Sequence, residues 1–359
     1  MRELLHDFYE RYFHDEESVI LVILLVVAIV ILLTIGGVLA PLIMAIVIAY
    51  LLQGMVANLL KLGIPQTMAF ALVYALFIGA FMLILLVLLP QLWNQFGRFI
   101  NELPRLINQW QAALMLLPET YPSLLTERQL DELVQSAGDE LAVLGQNALG
   151  YSIASIPTVL SVIVFIVLVP ILVFFVMKDK DQLMDWSGNF LPRNRPLMTK
   201  IWREMDLQLS NYIRGKALEI FLVGSVSFLV LSVLGLDFAL LLSALVGLSV
   251  VIPYIGATVV TIPIVAVAFV QWGVGPEFYA VVIAYGVIQL IDGNVLVPVI
   301  FSETNNLHPV AIITAVLVFG GIWGLVGVFF AIPLATFIKA IINAWPSKVQ
   351  SLIADGTGG

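Results

Sequence analysis

Cysteine is absent from this chain of 359 residues, histidine occurs three times, and charged residues make up only 11%, against about 25% in an ordinary soluble domain. Without cysteine there is no disulfide, no thiol nucleophile and no cysteine-ligated zinc or iron–sulfur site. His6, His14 and His308 are scattered and form no His-Glu-x-x-His pair, and no Gly-x-x-x-x-Gly-Lys-Ser/Thr loop is present, which argues against zinc hydrolysis and against ATP-driven transport by this chain. Ser243 and Ser249 lie in apolar stretches with no neighbouring His or Lys pattern of the kind an intramembrane protease uses. Lys and Arg are missing altogether from 217 to 338. No enzyme, cofactor, metal site or nucleic-acid partner is therefore expected, and transport remains by elimination.

Hydrophobic residues instead fill 61% of the sequence. Uncharged runs extend over 18–60, 62–97, 141–177, 238–276 and 304–338, and a helical crossing needs about 20 residues. Continuous Leu/Ile/Val runs do not alternate as membrane β-strands do. The expected fold is an all-α polytopic integral membrane protein of about eight transmembrane helices, with broken or re-entrant helices in its C-terminal half. The first seventeen residues carry six acids and two arginines, unlike the basic start of a signal peptide, so they are read as a cytoplasmic segment before an uncleaved first span.

Three crossings are expected within 18–90, with turns at Gly36, Gly37 and Pro41 and at Gly63 and Pro65. They would place 91–150 outside the cytoplasm, and a fourth span at 151–177 would return the chain. Eight of the sixteen Lys and Arg fall in 178–216, which marks that segment as a basic cytoplasmic loop under the positive-inside rule. Residues 217–345 then form the transmembrane transport core and 346–359 a cytoplasmic tail.

Within that core Asp292 is the most telling residue, because it interrupts an otherwise uncharged stretch from Phe278 to Ser302. An ionisable group at bilayer depth costs a few kcal/mol or more and marks a functional site by default. With no Lys or Arg between 217 and 338, its expected partners are a proton, a cation, or a polar neighbour such as Asn294 or Gln289. Two further features surround it. Ile252-Pro253-Tyr254-Ile255-Gly256 and Asp292-Gly-Asn-Val-Leu-Val-Pro298 interrupt two apolar runs, and such interruptions persist in membranes only where protein or a polar cavity satisfies the freed backbone groups. The candidate transport site is thus Asp292, Asn294, Gln289, Pro253, Tyr254, Gly256 and Pro298, with His308 and Glu303 as a candidate proton relay.

The 91–150 segment has its own pattern. Leu92, Phe96, Phe99, Leu103, Leu106, Trp110, Ala113 and Leu117 alternate steps of four and three, a heptad seam. A second seam runs through Leu130, Val134, Ala137, Leu141, Leu144 and Ala148. One reading packs the two helices together or on the membrane surface. The other pairs them between subunits, making Phe96, Phe99, Leu103, Leu106 and Trp110 oligomerisation residues.

Several short motifs in order carry a resemblance to a known family. They are Asn211-Tyr-Ile-Arg-Gly-Lys216, Gly235-Leu-Asp237, Leu245-x-Gly-Leu248 leading into Ile252–Gly256, Asp292–Pro298, Leu307-His-Pro309, Gly320-Gly-x-x-Gly-x-x-Gly327 and Ala331-Ile-Pro-Leu-Ala335. Over about residues 170–340 the chain resembles the autoinducer-2 exporter family of permeases, and within it the PerM branch. The resemblance implies a multi-pass protein of the bacterial inner membrane, assembled as a homo-oligomer with a pentamer as the suggested form. It implies as cargo either autoinducer-2 or sodium or lithium exchanged for protons. The expected partners are membrane lipids and a monovalent cation, a proton or a small polar solute. Cation/proton antiport through Asp292 is the leading expectation, export of a polar organic solute such as autoinducer-2 the second, and an oligomeric membrane scaffold the third.

Overall fold

The structure, a computed structural model, describes residues 16–115, 156–192, 195–253, 255–301 and 307–344. The second heptad seam, Tyr254, Glu303 and both chain ends lie outside the described residues. The described residues form helices joined by short turns, with no strand among them. Among the described residues, six helices are long and apolar enough to cross a membrane, or seven when a pair bent by 77° counts as one span.

α1 is a single helix, Glu16–Lys61, of 46 residues, about 69 Å long at 1.5 Å per residue. The turn expected at Gly36, Gly37 and Pro41 does not form. A break there would expose backbone groups that lipid cannot satisfy, and the run contains no polar residue able to take them over. Thr34 bonds back to the Val30 carbonyl at 2.7 Å rather than turning the chain. α2 (Gln66–Leu83) passes through a π-turn, Ile84–Leu88, into α3 (Leu89–Met115). Two helices long and apolar enough to cross a membrane begin before residue 91, where three were expected.

The remaining elements are α4 (Ile156–Lys178), α5 (Lys180–Gly188), α6 (Pro196–Val233), α7 (Ala239–Ser249), α8 (Ile255–Trp272), α9 (Pro276–Ile291), a π-turn at Asp292–Leu296, α10 (Val297–Phe301) and α11 (Pro309–Ala344). The interruption expected at Asp292–Pro298 is this π-turn, inside a helical path that otherwise continues to Phe301. α11 does break. Gly324 has φ 59° and ψ −138°, a left-handed conformation that glycine adopts without a Cβ penalty.

The chain divides into two compact units. In the first, comprising residues 1–76, 164–214 and 303–359, Leu21 of α1 packs with Met198 and Ile201 of α6, flanked by Phe337 and Ile341 of α11. The Glu17 carboxylate accepts from the backbone N–H of Met198 at 2.6 Å and of Leu197 at 3.2 Å, so the start of α6 is capped by a side chain from α1. Tyr50 bonds to Asp206, and Phe70, Tyr74 and Phe174 form an aromatic cluster between α2 and α4.

The second unit, residues 77–163 and 215–302, holds the larger core. Val223 and Leu231 of α6, Leu242 and Val246 of α7, Ile264 and Val267 of α8, and Val281 and Tyr285 of α9 are buried together. Lipid is as apolar as these side chains, so close packing and satisfied polar groups, rather than hydrophobic transfer, hold them in place. Gln271 clamps the Gly235-Leu-Asp237 turn, accepting from the Asp237 N–H at 2.9 Å and donating to the Gly235 carbonyl at 2.8 Å.

α3 joins this core from one side. Leu92, Phe96 and Phe99 pack against it, Phe99 meets Phe238 edge-on, Trp110 meets Phe269, and Leu106 is buried. Gln95 accepts from the Leu241 N–H at 2.9 Å. Phe96, Phe99, Leu106 and Trp110, expected to pair between subunits, thus find partners within the subunit, and Leu103 shares their half-buried side of the helix. The apolar stripe is a packing face, as its periodicity predicts, but the surface opposing it is α7 and α8 of the same chain.

Candidate functional site

The second unit buries three charges where α6, the α7–α8 corner and the α9–α10 π-turn meet. Lys216 is 5% exposed, Glu219 2% and Asp292 8%. The Lys216 ammonium donates to Glu219 Oε2 at 2.8 Å and to the Val250 carbonyl at 2.8 Å, and it sits 5.3 Å from the centre of the Phe301 ring. Its charge also attracts the Asp292 carboxylate, while the two carboxylates repel one another.

Local sequence explains each position. Lys216 and Glu219 stand three residues apart on α6, a spacing that places side chains on one face. Gly215, beside them, lets α10 come close, because a Cβ there would lie 2.6 Å from the Phe301 ring. Val250 terminates α7, where the last carbonyls have no partner in the helix, and so its oxygen is free for Lys216. The corner after it is tight. The Gly256 N–H bonds to the Ile252 carbonyl at 3.0 Å, and a Cβ on Gly256 would fall 1.8 Å from the Ser249 oxygen, so only glycine fits. Pro253 and Gly256 therefore shape the corner that presents Val250, and contribute no side chain to the charged cluster.

The polar surface continues along α9. Asp292, Gln289 and Tyr285 are spaced by three and four, one face of a helix. The Tyr285 hydroxyl donates to the Ala257 carbonyl at 3.1 Å and accepts from Thr261 Oγ1 at 3.4 Å. Two atoms on this face are buried without a partner among the described residues, Asp292 Oδ1 and Gln289 Nε2. An unmet acceptor and an unmet donor one helical turn apart form a polar pair suited to a small guest, since buried polar groups in proteins are otherwise paired.

Other expected members lie elsewhere. Asn294 is exposed and donates to the Leu290 carbonyl at 2.9 Å, and Pro298 is exposed too, so neither reaches the cluster. Two and six residues beyond Asp292, they fall on other sides of the helix by its ordinary 3.6-residue period. His308 accepts the Val310 N–H at 3.3 Å and acts as a cap for α11. Tyr254 and Glu303 are outside the described residues. The expectation that Asp292 has no basic neighbour is corrected by Lys216, one residue before the stretch that lacks Lys and Arg. Sequence reasoning misses Lys216 and Glu219 as site residues because Lys216 closes a basic segment and reads as its last headgroup anchor. The available signal is their three-residue spacing on one helix.

The family model for AI-2E family transporters matches residues 19–347. The chain belongs to the AI-2E transporter family. Similar relatives include the PerM protein of Escherichia coli (strain K12), 44% identical over 96% of this chain and 98% of that protein. The YueF transport protein of Bacillus subtilis (strain 168) is 28% identical over 82% and 80% of the two chains. The AI-2 transport protein TqsA of E. coli K12 is 26% identical over 89% and 90%. As an AI-2E permease, the chain is a multi-pass protein of the bacterial inner membrane, set in lipid and handling a small solute.

Proposed function

We propose that this AI-2E family member is a secondary transporter that exchanges a monovalent cation, Na⁺ or Li⁺, for a proton at Asp292. The observation that carries this reading is the charge balance of the buried cluster. One ammonium faces two carboxylates, and Asp292 Oδ1 has no protein partner among the described residues. The uncompensated negative charge is neutralised by either a proton or a metal cation, and since each excludes the other, their alternation at one carboxylate is exchange. Lys216, itself anchored on the Val250 carbonyl, holds Glu219 while Asp292 takes the guest. The π-turn at Asp292–Leu296 widens the helix at that point, as such turns do at functional sites.

Purified wild type and Asp292→Asn in proteoliposomes with a trapped pH dye, pulsed with NaCl, LiCl or choline chloride, test the reading. A sodium- or lithium-specific pH change in wild type, reduced at least tenfold in Asp292→Asn, is expected. A normal response from the variant sinks it.

A second reading rests on the unpartnered Gln289 amide and the Tyr285–Thr261 pair, uncharged groups suited to a hydroxylated solute. The name of TqsA assigns autoinducer-2 to that relative, and export of such a molecule would proceed without an ion gradient and survive Asp292→Asn. The scaffold reading relies on Phe96–Trp110 as an unoccupied seam, and it loses support because this face packs on its own subunit.

A further inference from the structure

The first unit contains a basic groove that the transport reading does not use. α5 departs from α4 at 77°, so when α4 crosses the bilayer α5 runs close to the membrane plane. It leaves Leu183, Met184 and Trp186 exposed, and Phe190 just beyond it is 68% exposed and stacks edge-on against Trp186. A short helix offering aromatic and aliphatic side chains at a span's end has the character of an interfacial anchor.

Arg195 ties the end of this helix to the start of α6 through a bond from Nη1 to the Gly188 carbonyl at 2.8 Å. From there one face of α6 lines a cavity of about 760 Å³ through Arg195, Thr199, Lys200, Arg203, Glu204 and Gln208. Lys200 and Arg203 are exposed, one helical turn apart, and neither has an ion-pair partner among the described residues. The single acid, Glu204, accepts from Gln208 at 3.4 Å. Glu17 already occupies the first N–H groups of α6, so an anion in the groove is held by the cationic side chains rather than by the helix end.

We propose that this groove binds the headgroup phosphate of an anionic phospholipid, with the acyl chains running along the exposed face of α5. Charge complementarity selects an anion. The adjacent Trp186 and Phe190 select one that arrives from the bilayer rather than from solution, because aromatic side chains of this kind settle at headgroup level. The site is separate from the Asp292 cluster and does not depend on what the protein transports.

Native mass spectrometry of the detergent-purified, full-length protein, titrated with phosphatidylglycerol, phosphatidylcholine or inorganic phosphate, tests this. Wild type is expected to retain phosphatidylglycerol preferentially, and Lys200→Gln with Arg203→Gln to lower that retention about thirty-fold, the combined effect of two cations near an anionic surface. Lys200→Arg should retain wild-type binding, which separates lost charge from lost folding. Equal retention of both lipids, unchanged binding by the double variant, or displacement of lipid by millimolar phosphate overturns the proposal. So does a loss of oligomeric mass in the double variant, which would mean that a second copy of the chain covers the groove.

Discussion

α1 has no charge between Glu17 and Lys61 and leaves most of its side chains exposed, whereas α9 with its π-turn aligns a phenol, an amide and a carboxylate along one buried face. Both are apolar enough to cross a membrane. Lipid satisfies an apolar surface wherever it lies, so between Leu21 and Ala45 little in α1 demands a particular neighbour. A carboxylate admits few environments. Asp292 is attracted by the Lys216 charge of α6, and Tyr285 bonds to the Ala257 carbonyl of α8, so these two polar groups each favour a particular adjacent helix. Polar residues thus decide the packing of this membrane protein more sharply than its far more numerous apolar ones.

The largest test of that contrast is Lys216→Met. It leaves Glu219 and Asp292 buried without their cation, and breaking a buried pair costs about 3–5 kcal/mol. A fall in melting temperature and in the monodisperse fraction in detergent is expected, with Lys216→Met combined with Glu219→Met recovering most of the loss. If the single variant melts like wild type, the cluster does not hold these helices together.

Gly256→Ala comes next, at about 2–3 kcal/mol, because its Cβ would fall 1.8 Å from the Ser249 oxygen. The matching control in the apolar helix is Gly36→Ala, whose Cβ meets nothing within 4 Å and which should melt no lower than wild type. Tyr285→Phe removes one hydrogen bond to Ala257 and is expected to cost about 1 kcal/mol, read as a modest drop in melting temperature. The smallest effect is assigned to Asn294→Ala, within about 0.5 kcal/mol. Asn294 bonds only to its own helix among the described residues, and a loss of folding or transport as large as that of Asp292→Asn would return it to the site.

Much of this architecture is legible in the order of residues alone. Run length and the near absence of charge indicate a helical membrane fold, the ordered motifs point to the family, and a lone acid in an apolar run singles out Asp292. Three expectations fail for local reasons. Gly36, Gly37 and Pro41 resemble a turn, but in lipid a continuous helix satisfies backbone groups that a turn would strand. Phe96 to Trp110 show a heptad face, and periodicity states that a face is covered without stating by what. Asn294 and Pro298 share a motif with Asp292, yet their spacing of two and six residues places them on other sides of the helix.

Which segments are helical and apolar, and that a carboxylate sits among them, can be read from the residues in order, because these properties belong to composition and to spacing along the chain. The folded chain adds that Lys216 and Glu219 lie near Asp292, that Pro253 and Gly256 act through the Val250 carbonyl, and that α3 packs on α7 and α8. Those outcomes depend on contacts between residues 34 to 146 positions apart. Such contacts are set by which buried polar groups satisfy one another in space, and distance along the chain carries no record of that.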